Sequence, residues 1–537
     1  MKKYLPILVF VLIVGAGLFL LVQYLISSSK NKVADNKISF STTPLEQLPE
    51  ANKQQIVELK NGDTFDLKAE IVRKKIGYLE VKMLGYNGSI PGPLIKVAKG
   101  SEVTINFTNN TDVPTTIHSH GVRLDNKFDG VPDLTQKAVG IGESFTYKLK
   151  FPDEGMYWYH PHIREDYAQE LGLYGNYLVT PSDPNYWSPV NQEQVLFLDD
   201  VLFDDNGIAS FDAETANHTL MGRFGEVMLA NGDTNYQINA KKGEVVRLYL
   251  TNAANTRTFK VVLPGAKMKL VGGDSGKYEK ERFVEEIIIS PSERAIVEVL
   301  FEQVGNFTLE HKSSTQVYPF AKINVSADSA SPSYAKEFST LRTNKDIQAS
   351  IDPFRSNFDK QPDKSLTLAV NMGPQNSMMD QAPDNEHAMH GGEMMPNQQM
   401  SMGMPQKIEW EDDMGMMNVN STAKTLTWQL TDETSGKKNM DIKWKFKIGD
   451  KAKIKIFNDP RAIHPMQHPI HFHGQRFLVL STNGVKNDNL VWKDTALIQT
   501  GDIVELLVDM SNPGVWMAHC HIAEHLEAGM MLKYVIE

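Results

Sequence analysis

Cysteine is almost absent from this chain: Cys520 is the only one in 537 residues. A single cysteine excludes an internal disulfide framework. No basic excess is present either, because 55 Lys and Arg stand against 66 Asp and Glu, for a net charge of −11. That balance argues against nucleic-acid binding, which needs a basic stripe, and gives a surface that tolerates or attracts cations. Helical periodicity is scarce as well. From residue 60 onward the chain reads as short, β-branched, alternating segments broken by Gly, Pro and Asn, a pattern that predicts all-β sandwiches or barrels. At about 150 residues per domain, the length suggests three or four of them.

There is one long apolar run. Met1-Lys2-Lys3 leads into Tyr4 to Ile26, which carries no charge and only Gln23 as a clearly polar residue. The run is longer than the roughly 7 to 15 residues of a signal-peptide core and long enough to span a bilayer. No small-x-small cleavage site or lipobox cysteine follows it. Residues 1–26 are therefore expected to be a signal anchor, with a cleaved signal peptide as the alternative. A polar tether over 27–54 would follow. Either way, the rest of the chain would work outside the cytoplasmic membrane.

The single cysteine lies in His519-Cys520-His521-Ile522-Ala523-Glu524-His525-Leu526-Glu527-Ala528-Gly529-Met530. One thiolate, two imidazoles and a weak thioether form a blue-copper ligand set. This stretch offers the Cys, one His and the Met, so a second His must come from elsewhere. His519 and His521 cannot supply it from an extended segment, because neighbouring side chains point to opposite faces. They would face a different metal. The bland alternative is a buried structural cysteine, but four potential His and Cys ligands in twelve residues count against it.

Internal repeats sharpen the organisation. Gly100 to Asn109, Gly243 to Asn252 and Gly449 to Asn458 each run from a turn glycine through an alternating strand to a closing Asn. A second phrase links Gly142 to His160-Pro161-His162, Ser292 to Glu310-His311-Lys312, and Gly501 to His519-Cys520-His521. In each, a glycine (Gly155, Gly305, Gly514) stands five residues before the terminal triplet. Three related β domains in series are expected, over 55–183, 188–328 and 362–537. The middle one has Glu-His-Lys where the others have His-x-His, so it reads as a structural spacer without metal ligands.

Ten of the fifteen histidines fall into four groups: His118 and His120; His160 and His162; His468, His471 and His473; and His519, His521 and His525. His-x-His on a strand puts both imidazoles on one face, about 6.6 Å apart in Cα spacing. A single such pair is weak evidence of a site. Four groups at the ends of repeat units, absent from the middle domain, point strongly to metal.

On these motifs the chain resembles the multicopper oxidases over nearly all its length after the tether. The resemblance implies three cupredoxin-like Greek-key β-barrel or sandwich domains behind an N-terminal hydrophobic helix. It implies four copper ions. His468, Cys520, His525 and axial Met530 would hold the type 1 copper, and His118 and His471 the type 2 copper. His120, His160, His162, His473, His519 and His521 would hold the type 3 pair, so the trinuclear cluster would sit between the first and third domains. Electrons accepted at Cys520 would pass through its backbone to His519 and His521, and dioxygen would be reduced to water. That reduction consumes protons. Asp129, in Phe128-Asp129-Gly130, matches an acid the family places near the cluster. Where many bacterial relatives carry Glu after the second type 1 histidine, this chain has Leu526, with Glu527 only a weak substitute.

Residues 372–417 hold twelve of the 24 methionines: Met372, Met378, Met379, Met389, Met394, Met395, Met400, Met402, Met404, Met414, Met416 and Met417, with His387, His390, Asp380, Asp412 and Asp413 among them. Surrounding Gly, Pro, Asn and Gln make this a loop insertion. Soft thioethers select Cu(I), and Met-rich segments of this kind resemble those of bacterial copper-tolerance oxidases. Met378, Met379, Asp380, Met414, Met416, Met417 and Met466 are the candidate Cu(I)-handling residues. His464 stands where such oxidases often have an acidic residue. The expected activity is Cu(I) oxidation coupled to dioxygen reduction by a membrane-tethered monomer. The alternatives are laccase-like oxidation of phenols or aromatic amines, or oxidation of Fe(II) or Mn(II).

Overall fold

The three repeated phrases form three equivalent strands, Glu102–Asn110, Val245–Asn252 and Asp450–Asn458. Each follows a glycine held at positive φ, at 85° for Gly100, 84° for Gly243 and 90° for Gly449, where a side chain would be strained. The closing Asn of each strand is buried, and its amide donates to two backbone carbonyls. Asn109 reaches Val113 and Val139 at 2.8 and 3.0 Å. Asn252 reaches Arg257 and Ile289, both at 2.9 Å. Asn458 reaches Met466 and Ile498 at 2.7 and 3.1 Å. One short polar side chain thus satisfies loop carbonyls that burial would otherwise orphan.

The computed structural model describes residues 43–205, 207–372, 407–412, 423 and 426–537. The expected anchor over 1–26, and the candidates Met378, Met379, Asp380, Met414, Met416 and Met417, lie outside them. Among the described residues no helix is long and apolar enough to cross a membrane. The tether expected over 27–54 does not extend free to its end. Arg73 and Pro49, Ala51 and Arg73, and Asn52 and Gly88 are joined by backbone hydrogen bonds of 2.7–2.9 Å, because this stretch can pair with strand backbone that would otherwise be an open edge.

Each third of the chain makes a pair of sheets with a shared core, and together they form three cupredoxin-like sandwiches. The first combines a four-stranded and a five-stranded sheet, and the second and third each combine a six-stranded and a five-stranded sheet. In every one the repeated strand pairs in parallel with an earlier strand: Glu102–Asn110 with Thr64–Ile76, Val245–Asn252 with Gln192–Val201, and Asp450–Asn458 with Lys364–Asn371. In the second sandwich, Leu196, Leu248 and Val297 from one sheet share a core with Ile238, Leu309 and Ile323 from the other. Among the described residues the α-helices run only four to seven residues. Ala335–Ser339 and Lys345–Ile351 join the second and third sandwiches and bury Phe338, Ile347 and Ile351. These helices are too short to show a period in the sequence.

The histidine strands lie side by side within their sheets. His118 pairs with His160, and His120 with Trp158. In the third sandwich Ile470 pairs with Cys520, and His471 with His519. This register sets the metal-ligating types in two rows.

Candidate metal centres

Eight buried histidines from the first and third sandwiches meet in one place. His118 stacks on His473 with ring centroids 4.0 Å apart, and His120 on His471 at 3.7 Å. His521 lies 5.1 Å from both His120 and His160. The Nε2 atoms of His162 and His519 approach His473 Nε2 to 3.3 and 3.0 Å. Three triads, His118/His120/His160, His118/His471/His473 and His162/His473/His519, each hold their ligand nitrogens within 4.8 Å of one another.

Many of the nitrogens facing inward have no hydrogen-bond partner, while most of the outward ones are tied. His118 Nε2, His120 Nδ1, His160 Nε2, His471 Nε2 and both nitrogens of His521 are buried without a hydrogen-bond partner. On the outer side, His118 Nδ1 donates to the Asp129 carbonyl at 2.7 Å, and His471 Nδ1 to the Asp494 carbonyl at 2.8 Å. His160 Nδ1 and His519 Nδ1 donate to the carbonyls of Pro161 and Cys520 at 2.7 and 2.8 Å. His473 Nδ1 donates to Asp129 Oδ2 at 2.9 Å, and His120 Nε2 to Asp494 Oδ1 at 2.9 Å. Such bonds fix the tautomer and aim the free lone pair inward, the usual support of a metal-bound imidazole. Burial and then the neighbouring imidazoles hold His120, His160, His162, His471, His473 and His521 well below the ordinary imidazole pKa, with His519 lowered to about 4. Neutral imidazoles with orphaned inward nitrogens suit metal ions.

A second centre lies on the other face of the same strand. Cys520 Sγ is 3.5 Å from His468 Nδ1 and 3.7 Å from His525 Nδ1, and those two nitrogens are 3.2 Å apart. His525 Nε2 donates to the Leu220 carbonyl at 3.1 Å, leaving Nδ1 for the sulfur side. The Ile522 amide donates to Sγ at 3.4 Å. Burial raises the Cys520 thiol pKa, so a metal would have to draw off its proton. Met530 is fully buried, and its backbone joins Cys520 and His525: Cys520 N donates to its carbonyl at 3.1 Å and its own N–H to the His525 carbonyl at 3.0 Å.

Sequence profiles of the family described as multicopper oxidase match residues 69–184, 190–327 and 395–537. The chain belongs to the multicopper oxidase family. It is 27% identical to a multicopper oxidase of Staphylococcus aureus over 83% of this chain and 82% of that protein. It is 25% identical to a copper resistance protein A homolog of Pseudomonas syringae pv. tomato, over 89% and 93% of the two chains. A multicopper oxidase of Campylobacter jejuni, a metallo-oxidase, superposes with a TM-score of 0.67 at 25% identity, covering 93% of this chain and 99% of that one. The protein is a copper-dependent oxidoreductase, and the donor sets described above fit copper.

Several residues of this multicopper oxidase site were not visible in the spacing of its sequence. Asp494 is fully buried and touches His120 and His471. Its one signal is a charge between two apolar runs, Leu490-Val491-Trp492 and Ala496-Leu497-Ile498. Glu165 is buried 3.4 Å from His162 Nδ1, and neither of its side-chain oxygens has a hydrogen bond. Burial holds that carboxyl well above the usual range. Trp428 stacks on His525 at 4.1 Å and sets its edge to His468 at 4.8 Å, covering the cysteine centre. Glu527 is exposed, whereas Leu526 packs with Val131 and Met517.

Near the cysteine centre, Met466 is fully buried two residues before His468. His464 is buried with an unpartnered Nε2, and burial lowers its pKa to about 4. Residues 407–412, which follow much of the Met-rich interval, are anchored beside this centre. Gln467, the neighbour of His468, exchanges hydrogen bonds of 2.8 and 3.1 Å with the Glu409 backbone. Lys407 pairs with Asp502 at 3.0 Å and Glu411 with Arg257 at 2.8 Å.

Proposed function

We propose that this multicopper oxidase holds four copper ions and oxidises Cu(I) to Cu(II) outside the cytoplasmic membrane. His468, Cys520, His525 and Met530 would hold the type 1 copper, and His118 and His471 the type 2 copper. The type 3 ligands divide into His162, His473 and His519 for one ion and His120, His160 and His521 for the other. Copper in these positions supplies one-electron redox chemistry and, as a set of four, matches the four electrons that convert dioxygen to two waters. The overall reaction balances as four Cu(I), one dioxygen and four protons giving four Cu(II) and two waters.

The chain's own groups do the rest. Cys520 is bonded through its backbone to His519 and His521, so the shortest covalent route between the centres is part of one strand. Asp129 and Asp494 orient ligand imidazoles. Asp129 and Glu165 are the buried carboxyl groups beside the ring that can carry protons to it. The three domains are proposed over 55–183, 188–328 and 362–537, with 1–26 as the membrane anchor.

The observation that carries the choice of substrate is the hydrogen-bonded join between Glu409 and Gln467. It brings the chain out of a methionine-rich interval onto the residue next to His468. Thioethers select Cu(I) over hard cations. A laccase-like reading suits this centre less well, because Trp428 covers His525 and its Nε2 is committed to Leu220. Deleting residues 376–404 leaves the 407–412 anchor in place. Cu(I) oxidation should collapse while phenol oxidation survives or rises; unchanged Cu(I) oxidation would contradict the proposal.

A further inference from the structure

The second sandwich was expected to be a spacer, yet it reaches the histidine ring through one side chain. Arg294 opens the strand Arg294–Leu300 and its side chain is fully buried. Its fork clasps the Asp494 carboxylate: Nη1 donates to Oδ1 at 2.8 Å, and Nη2 to Oδ2. Two further donors go to the Met156 carbonyl of the first sandwich and the Ser292 carbonyl of the second, both at 2.9 Å. One guanidinium therefore ties together all three sandwiches.

Asp494 is what this fork aims. Its Oδ1 accepts from His120 Nε2 and its carbonyl from His471 Nδ1. A carboxylate held bidentately by a planar fork cannot rotate, so its remaining lone pair has a fixed direction. That direction keeps the His120 proton on Nε2 and leaves Nδ1 facing the cluster without a partner. His118, His160, His471, His473 and His519 are instead tied through Nδ1, so the opposite tautomer of His120 is set at Nε2 by the Asp494 carboxylate, with the Thr495 hydroxyl beside it at 3.1 Å and itself donating to Asp494 Oδ1. The fit is tight. A Cβ on Gly121, next to His120, would lie 2.2 Å from Asp494 Oδ2 and 3.0 Å from Arg294 Nη2. The adjoining charges are paired: Lys493 reaches Asp274 and Glu293 at 3.0 Å each, and the Arg294 amide donates to Asp274 Oδ1 at 2.8 Å.

We propose that Arg294 is a positioning residue of the oxygen-reducing site, orienting His120 and His471 through Asp494, which makes the ligand-free second sandwich a working part of that site. This inference rests on the assignment of those histidines as type 3 and type 2 ligands.

The test uses the full, copper-loaded chain with three readouts: the visible thiolate–copper absorption of type 1 copper, the electron paramagnetic resonance signal of type 2 copper, and copper per chain. In Arg294→Gln the visible absorption should persist. The type 2 signal should shift or diminish, cluster copper should fall, and turnover should drop about 10- to 100-fold, the usual cost of losing support behind a ligand. Arg294→Lys, which restores charge without the fork, should recover only part of the loss and carries the test if Arg294→Gln does not accumulate. Arg247→Gln breaks a comparably buried pair with Glu298 (2.8 Å) in the same sandwich and should leave the type 2 signal unchanged. The proposal is overturned if Arg294→Gln keeps a wild-type type 2 signal and turnover, if it loses both copper signatures together, or if Arg247→Gln gives the same change. A wild-type protein without a type 2 signal would instead contradict the ligand assignment itself.

Discussion

His473 Nδ1 donates to Asp129 Oδ2 at 2.9 Å, joining residues 344 positions apart. The Asp129 carbonyl meanwhile accepts from His118 Nδ1. One residue of the first sandwich thus supports a histidine from each side of the cluster. Asp129→Asn keeps the shape and removes the charge. It should weaken cluster copper retention or turnover about 10- to 100-fold, read as copper content after dialysis against a chelator and as kcat. A role in proton transfer adds a larger solvent deuterium isotope effect on kcat than in wild type; an unchanged isotope effect would restrict Asp129 to orientation.

Gly130, the next residue, has φ at 84°, and a Cβ there would lie 2.0 Å from the Ile117 carbonyl and 2.9 Å from the His118 amide. Gly130→Ala combines backbone strain with overpacking, each worth about 1–3 kcal/mol. Denaturant unfolding of the copper-free protein should show a loss of about 2–4 kcal/mol. A loss below about 0.5 kcal/mol, the level of an ordinary surface change, would mean that the turn relaxes freely.

The copper-free protein should lose stability as pH falls from about 6.5. Burial depresses the folded-state pKa of His120, His160, His162, His471, His473, His521 and His525, and takes His519 to about 4 and His468 to about 3. Between those values and the unfolded pKa the unfolded chain binds more protons, so stability rises with pH there and is lost on acidification. Melting temperatures of the copper-free protein from pH 7 to pH 4.5 should decline steadily; a flat profile would contradict the buried neutral ring. Glu524, raised to about 8 mainly by burial, has the opposite sign. Glu524→Gln should therefore gain stability over wild type above about pH 8 and little at pH 5.

Asn458 holds the carbonyls of Met466 and Ile498. Asn458→Ala orphans both, at about 1–3 kcal/mol each, and releases the loop that leads to His468. Unfolding free energy should drop by about 2–4 kcal/mol, and the type 1 absorption should broaden. A variant with wild-type stability would show that water replaces the amide.

The architecture and the clustering histidines were legible because their signals are local. Turn glycines, alternating strands and closing asparagines repeat three times, and histidines mark the ends of two repeats. Asp494, Glu165 and Arg294 were not legible, because a buried charge is identified by its partner, and these partners lie on other sandwiches. Trp428 carries no sequence signal of its own, because only its stacking on His525 ties it to the cysteine centre. The reach of Arg294 from the second sandwich to Asp494 was hidden for the same reason: the absence of histidine says nothing about one arginine crossing an interface.

Oxygen uptake by the copper-loaded protein, with Cu(I) and a phenol compared side by side at matched concentrations, tests the account most directly. It predicts faster uptake with Cu(I), at a ratio of one dioxygen to four Cu(I) and without released peroxide. Faster turnover of the phenol, or peroxide as the product, would contradict it.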